Sequence, residues 1–269
     1  MNDRRKLLVA LGASVIAAPL SSFAQHQGKI WRVGFLSQRQ VSISDTDYYY
    51  GPFRQAMREL GYVEGKNLVI EWRSAEGHPD RLPGLAAELV RLKVDVLITP
   101  GTQASRAAQS ATTTIPIVIL GAGDPLGSGL VKSLAHPGGN LTGLTNLNPE
   151  LGPKLLEMLL AISPKPSLVA VLWNSSNAGQ SGYLKNIQAA AHNINVMLVS
   201  VGVNTSEEIA GAFSTMIRQK AEAVVVAREP LFQQQKSQIV DLASKYRMPS
   251  IGGYREYAEA GGLMSYGPI

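Results

Sequence analysis

Short apolar runs rich in β-branched residues alternate with amphipathic segments of helix length along nearly the whole chain, and this alternation constrains the fold more than any single motif. Strands are expected at Trp31–Leu36, Asn67–Trp72, Val94–Thr99, Ile115–Leu120, Asn140–Thr145, Leu168–Trp173, Asn195–Val201, Glu222–Ala227 and Pro249–Gly252. Helices are expected between them, at Tyr49–Leu60, Arg81–Leu92, Gln103–Ala111, Leu151–Ala161, Ser181–His192 and Leu231–Tyr246. Thr205-Ser-Glu-Glu208 reads as a capping box that leads a further helix to Gln219. A strand followed by a helix and another strand needs a crossover connection, so the sheet is parallel and the fold class is α/β. Residues 115–145 form the seam of this pattern. Ile115–Leu120 reads as a strand buried on both faces, Gly121-Ala-Gly-Asp-Pro125 ends it, Gly127–Ala135 reads as a short helix, and Asn140–Thr145 is the next strand. Strand–helix units lie on both sides, so a polar loop here would sit beside both halves.

The first 24 residues are set apart from the fold. Asp3-Arg4-Arg5-Lys6 precedes the apolar run Leu7–Ala18, and Ser22-Phe23-Ala24 places small residues before Gln25. This is the layout of a cleavable export leader, with cleavage expected after Ala24. The apolar run is too short to span about 30 Å of hydrocarbon. The chain has no cysteine, so an exported product relies on core packing, and a lipid-modified mature N-terminus is excluded. A periplasm is the expected location. Without residues 1–24 the chain keeps 22 basic and 19 acidic residues, a net charge of +3. No basic run interleaved with aromatics occurs, and nucleic acid is not expected as a partner.

The pattern alone allows two architectures: one eightfold β/α barrel, or two doubly wound lobes facing each other. Both place a ligand at the carboxyl ends of strands. The loops there are Ser37–Arg39, Ser74–Gly77, Pro100–Gln103, Gly121–Pro125, Asn174–Asn177, Arg228–Pro230 and Gly253-Tyr254. They are small, polar and glycine-rich, as a site that hydrogen-bonds a small polar ligand requires, and as surface loops in general are. Thr102 stands where an N-cap after a buried strand would aim free N–H groups at an anion. Motifs of catalysis are missing or malformed. The four histidines, His26, His78, His136 and His192, lack metal-ligand spacing, and no metal or other cofactor is expected. Gly121-Ala-Gly123-Asp-Pro-Leu-Gly127 has its third glycine one residue late for a dinucleotide loop, and Gly61-Tyr-Val-Glu-Gly65-Lys66 is one residue short of a phosphate loop. No carboxylate pair or nucleophile elbow is present, so an enzyme is not expected.

Five segments carry a family resemblance: Gly61-Tyr-Val-Glu-Gly65, Asp80-Arg-Leu-Pro-Gly-Leu-Ala-Ala-Glu-Leu-Val90, Gly123-Asp-Pro125, Ala135-His-Pro-Gly-Gly-Asn-Leu-Thr-Gly143 and Glu259-Ala-Gly-Gly-Leu-Met-Ser-Tyr-Gly-Pro268. In order along Ile30–Pro268, they resemble the ABC transporter substrate-binding proteins of the tryptophan/tyrosine type. The resemblance implies a type I periplasmic-binding-protein fold, which decides against the barrel. Two doubly wound parallel-sheet lobes, residues 30–145 and 146–253, would then hold a ligand cleft between them. Residues 254–269 would begin a crossover back to the first lobe. The family's chains continue beyond the last motif, so the resemblance also implies a shortened chain with exposed apolar surface. It implies a monomeric exported protein that takes a small polar ligand, such as an aromatic or other amino acid, and hands it to an ABC permease. A periplasmic sensory module, or an enzyme on the same fold, are the alternatives. Ser37, Gln38, Thr102, Gln103 and Asp124 are the implied ligand contacts of the first lobe. Asn174, Asn177, Glu229 and Tyr254 are those of the second. N–H groups near Thr102 would hold a carboxylate, Asp124 or Glu229 an ammonium, and Tyr254 or Tyr48 would stack on an aromatic side chain. Two departures stand out: Glu229-Pro230 replaces the family's Asp-Pro, and Arg39-Gln40 makes the first loop bulkier.

Overall fold

The structure is a computed structural model that describes residues 29–40, 50–146, 148–163 and 166–267. The expected export leader and Tyr48 lie outside these residues. The chain makes two five-stranded parallel sheets. The first holds β1 (Trp31–Ser37), β2 (Leu68–Ser74), β3 (Val96–Pro100), β4 (Ile117–Ala122) and β5 (Leu141–Thr145), in the order β2-β1-β3-β4-β5. The second holds β6 (Leu168–Asn174), β7 (Met197–Val203), β8 (Ala223–Val226), β9 (Ser250–Gly252) and β10 (Met264–Ser265), in the order β10-β9-β8-β6-β7. Every paired neighbour is parallel. Two α/β lobes of the type I periplasmic-binding-protein kind result.

Helices α1 (Tyr50–Glu59), α2 (Leu82–Arg91) and α3 (Thr102–Ala111) serve the first sheet. Helices α4 (Asn148–Ile162), α5 (Ser181–Asn193), α6 (Glu208–Arg218), α7 (Pro230–Gln234), α8 (Lys236–Lys245) and α9 (Arg255–Glu259) follow. The central strands carry unbroken apolar runs because helices cover both faces of each sheet. In β8 all four residues are buried, and in β1 the five residues Val33–Ser37 are. Leu36, Leu89, Leu97 and Ile117 pack on one face of the first sheet, and Phe35, Tyr50, Leu68 and Ile98 on the other. Tyr183, Ile187, Phe213, Phe232 and Ile251 centre a third cluster around the second sheet. Among the described residues, no apolar cluster runs from one lobe into the other.

Several local expectations differ from the structure. Residues 127–135 are turn, bend and irregular chain, not a helix. The Asp124 carboxylate accepts from the Gly127 N–H at 2.8 Å, Leu130 and Val131 both donate to the Pro125 carbonyl, and Gly129 takes φ +71°. A positive φ there breaks any α-helical ladder. The N-cap of α3 is Gly101, at φ 82° and ψ 170°, and Thr102 is the first helical residue. Only glycine reaches that backbone region cheaply, and it lets the chain turn directly from β3 into α3. The expected capping box at Thr205–Glu208 is replaced by a different contact: the helix starts without a side-chain cap, and the Glu208 carboxylate accepts from the Asn204 N–H at 2.6 Å. The long helix after Pro230 is interrupted at Gln235, whose ψ is 20°. Residues 255–265, which the family resemblance gave to a crossover toward the first lobe, supply α9 and β10 to the second sheet; β10 was not foreseen. Among the described residues, no helix is long and apolar enough to cross a membrane.

Candidate functional site

The carboxyl ends of both sheets face each other across a cleft of about 520 Å³, open mouth included. From the first lobe, the end of β1 contributes Ser37, Gln38 and Arg39. The β3–α3 turn adds Pro100, Gly101 and Thr102, and the end of β4 adds Leu120, Gly121 and Gly123. From the second lobe come Asn177 and Gln180 after β6, Arg228 to Pro230 after β8, and Tyr254 after β9. Asn146 and Asn148 line the cleft from the segment where the chain passes between lobes.

Glu229 is the chemical centre of the second-lobe wall. It is completely buried. Asn174 Nδ2 donates to its Oε1 at 2.9 Å, while Asn177 Nδ2 and Gln180 Nε2 donate to its Oε2 at 2.7 and 3.3 Å. These amides are held in orientation. The Asn174 Oδ1 accepts from the Ser176 N–H and hydroxyl at 3.0 and 2.8 Å, and the Asn177 Oδ1 accepts from the Gly179 N–H at 2.9 Å. Both NH₂ groups must therefore face Glu229, and the array is wired for a carboxylate. Burial raises the Glu229 pKa from 4.5 to about 7, against the lowering effect of the three amide hydrogen bonds. Beside it, the Arg228 guanidinium lies over the Tyr254 ring at 4.8 Å.

Four cleft side chains hold buried polar atoms with no partner among the described residues: Ser37 Oγ, Gln38 Nε2, Asn148 Oδ1 and Gln180 Oε1. Leaving such atoms unpaired costs about 1–3 kcal/mol each, so a cleft that keeps four of them is built for a polar occupant. The donors Ser37 and Gln38 stand on the first lobe, next to the α3 N-terminus, where no side-chain cap occupies the first turn. The acceptors Gln180 Oε1 and Glu229 stand on the second. Among these atoms, donors thus stand on the first wall and acceptors on the second, where the Arg228 guanidinium also lines the cleft.

The lobes are in contact. Gln103 Nε2 donates to Ser176 Oγ at 3.0 Å across the cleft rim. Thr102 Oγ1 accepts from the Gly123 N–H at 3.3 Å within the first lobe, and the backbone of Gly179 packs directly on Thr102 from the second. A Cβ on Gly179 would fall well inside contact distance of Thr102 Oγ1 and 3.1 Å from Thr102 Cβ. This is a closed arrangement.

Of the residues singled out in the sequence, the structure brings Ser37, Gln38, Thr102, Asn177, Glu229 and Tyr254 together as cleft lining. Gln103 bridges the rim, and Asn174 stands behind Glu229. Asp124 does not line the cleft; its carboxylate closes the Gly127 turn. Sequence reasoning missed Asn146, Asn148 and Gln180. The end of β5 is a strand end like the others, and Asn146 and Asn148 beyond it were identifiable on that ground. Gln180 lies three residues beyond the loop after β6, in the turn Ala178–Gln180, and carried no signal in the sequence. Among the described residues, no group of three or more His, Cys, Asp or Glu is placed to hold a metal ion.

Comparison with known proteins agrees with this architecture. A structure from Vibrio cholerae O1 biovar eltor, described as a conserved domain protein, superposes with a TM-score of 0.80 at 26% identity, covering 88% of this chain and 78% of that one. An ABC domain from Streptococcus pneumonia in complex with L-Trp superposes with a TM-score of 0.78 at 24% identity, covering 87% and 78%. A tyrosine-binding protein of Clostridioides difficile (strain R20291) is 28% identical over 216 residues. That match takes in 80% of this chain, which spans only 61% of the relative's length. The family model for ABC transporter substrate-binding proteins matches residues 40–268. The chain belongs to the ABC transporter substrate-binding protein family.

Proposed function

We propose that the chain is the exported solute-binding component of an ABC importer, and that its cleft closes on a zwitterionic amino acid. The observation that carries this reading is the opposition of the two walls. Ser37, Gln38 and the uncapped first turn of α3 offer donors to a carboxylate. Glu229 and the Gln180 Oε1 offer acceptors to an ammonium. An ammonium beside Glu229 favours the ionised carboxylate and offsets the burial that raises its pKa. Tyr254 presents a ring for the ligand's side chain. The names of two relatives, one binding tyrosine and one solved with L-Trp, support an amino acid of this kind.

Binding proceeds by population shift. The open form takes the ligand on one wall, and closure adds the contacts of the other. A permease that recognises the closed form then receives the ligand. The leader ending at Ala24 directs the chain to the periplasm, where the mature protein begins at Gln25. Thermal shift of the purified protein against the twenty proteinogenic L-amino acids tests the reading. A cognate ligand at 100-fold excess over Kd stabilises by about 2.7 kcal/mol. No shift with any of the twenty would overturn the amino-acid assignment.

A further inference from the structure

We propose that Asn148 couples ligand occupancy to closure of the lobes, because it is hydrogen-bonded to both lobes and points its remaining acceptor into the cleft. The inference rests on the amino-acid reading of that cleft.

Asn148 is the first residue of α4, the helix that follows the last strand of the first lobe and packs on α5, β8 and β9 of the second. It is 4% exposed. Its backbone N–H donates to the Gly123 carbonyl at 3.1 Å, at the end of β4. Its Nδ2 donates to the Arg228 carbonyl at 3.2 Å, at the end of β8. Its Oδ1 is buried in the cleft lining without a partner among the described residues. The side chain also lies flat against Gly123, where a Cβ would stand 2.9 Å from Nδ2.

A carboxamide is planar, so these contacts are not independent. With Nδ2 held on Arg228 and the backbone held on Gly123, the direction of Oδ1 is set only while the ends of β4 and β8 stay at their closed separation. A ligand N–H donated to Oδ1 satisfies an acceptor that closure alone leaves unpaired. Opening the cleft draws Gly123 away from Arg228, and one residue cannot then keep its backbone tie to Gly123, its side-chain tie to Arg228 and the ligand contact. The ligand thus binds the closed arrangement preferentially through this residue, the differential affinity that a population shift requires. Gln180 provides the contrast. Its Oε1 is equally unpartnered, but its Nε2 bonds reach only Arg228 and Glu229 of its own lobe, at 2.8 and 3.3 Å. Gln180 can hold a ligand without spanning the hinge.

The test compares wild type, Asn148→Ala, Asn148→Asp and Gln180→Ala. Each is titrated by calorimetry with the twenty proteinogenic L-amino acids. Small-angle X-ray scattering then follows compaction at saturation with the amino acid that wild type binds most tightly. Wild type should contract. Gln180→Ala should bind roughly tenfold more weakly, the loss of one buried hydrogen bond, yet contract fully once saturated. Asn148→Ala should also bind roughly tenfold more weakly or worse, and fail to contract even at saturation. Asn148→Asp keeps the size and the Oδ1 acceptor but sets an oxygen against the Arg228 carbonyl; it should bind and not contract. It carries the test if the alanine variant does not fold. Full contraction of either Asn148 variant at saturation would overturn the proposal while leaving the cleft assignment intact. A wild type that binds none of the twenty would overturn both.

Discussion

The ionisation of Glu229 makes the ligand-free protein lose stability as pH rises from about 4.5 to about 7. The carboxyl is completely buried, and burial moves its pKa from 4.5 to about 7. Within that window the folded state keeps a proton that the unfolded chain has already released. The folded state therefore binds more protons, and linkage requires stability to fall with increasing pH. The contribution is complete below pH 4.5 and is lost as pH passes 7. The move from 4.5 to about 7, at about 1.4 kcal/mol per pH unit, amounts to roughly 3–4 kcal/mol, a large fraction of a typical domain's stability. Glu229→Gln removes the titration. Its NH₂ would meet the fixed amide donors of Asn174 or Asn177, a cost that does not vary with pH. Urea unfolding of both proteins at intervals from pH 4.5 to 8, without ligand, isolates the effect from other titrating groups. The stability difference between the two proteins should change by roughly 3–4 kcal/mol in favour of the variant as pH rises. Parallel stability curves would refute the reasoning and place the Glu229 carboxyl in contact with solvent or a cation.

Gly179→Ala should obstruct closure chiefly through Thr102 of the facing lobe, since within its own lobe the nearest atom to the added Cβ is Asn177 Oδ1, at 3.2 Å. An overpacking cost of about 1–3 kcal/mol weakens amino-acid binding by roughly 5- to 150-fold in calorimetry, while ligand-free melting stays unchanged; unaltered affinity would mean the two loops do not approach so closely. Asp124→Ala should leave affinity unchanged and cost about 0.5–1.5 kcal/mol of stability, the worth of its bond to the Gly127 N–H. A tenfold loss of affinity would return that carboxylate to the ligand. Tyr183→Phe should stabilise the second lobe by about 1 kcal/mol, because the hydroxyl is fully buried without a partner among the described residues and burial alone pushes its pKa upward. A lower melting temperature would reveal an overlooked acceptor.

Much of the architecture was legible because parallel strands covered on both faces advertise themselves. Ala223–Val226 and Ile117–Leu120 are apolar without alternation, and the glycine- and asparagine-rich loops after such runs mark carboxyl ends. That logic reached Ser37, Gln38, Thr102, Asn177 and Glu229. Periodicity did not choose between a barrel and two lobes; the family resemblance did. Expectations failed where a short-range contact decides the backbone. The Asp124 carboxylate and Gly129 turn a helix-compatible stretch into successive turns, and Gly101 takes the capping place given to Thr102. The roles of Asn148 and Gln180, though not the position of Asn148 beyond a strand end, were invisible for another reason. Their role comes from what the folded chain brings opposite them, the Arg228 carbonyl 80 and 48 residues away. A two-residue strand such as Met264–Ser265 offers too few positions for alternation to register.

The confinement of apolar packing to one lobe or the other has a consequence for cooperativity. Each lobe should be its own unit of hydrogen-exchange protection, since among the described residues no buried apolar cluster joins the two sheets. The ligand-free chain is thereby free to lose one lobe while the other persists, and the second-lobe transition is the one that the Glu229 and Tyr183 variants move. A bound ligand changes this. Gripped by donors of one lobe and acceptors of the other, it is released when either lobe unfolds, so its full binding free energy opposes both events. The small molecule becomes the strut between two foldons, and two separate melting transitions converge into one.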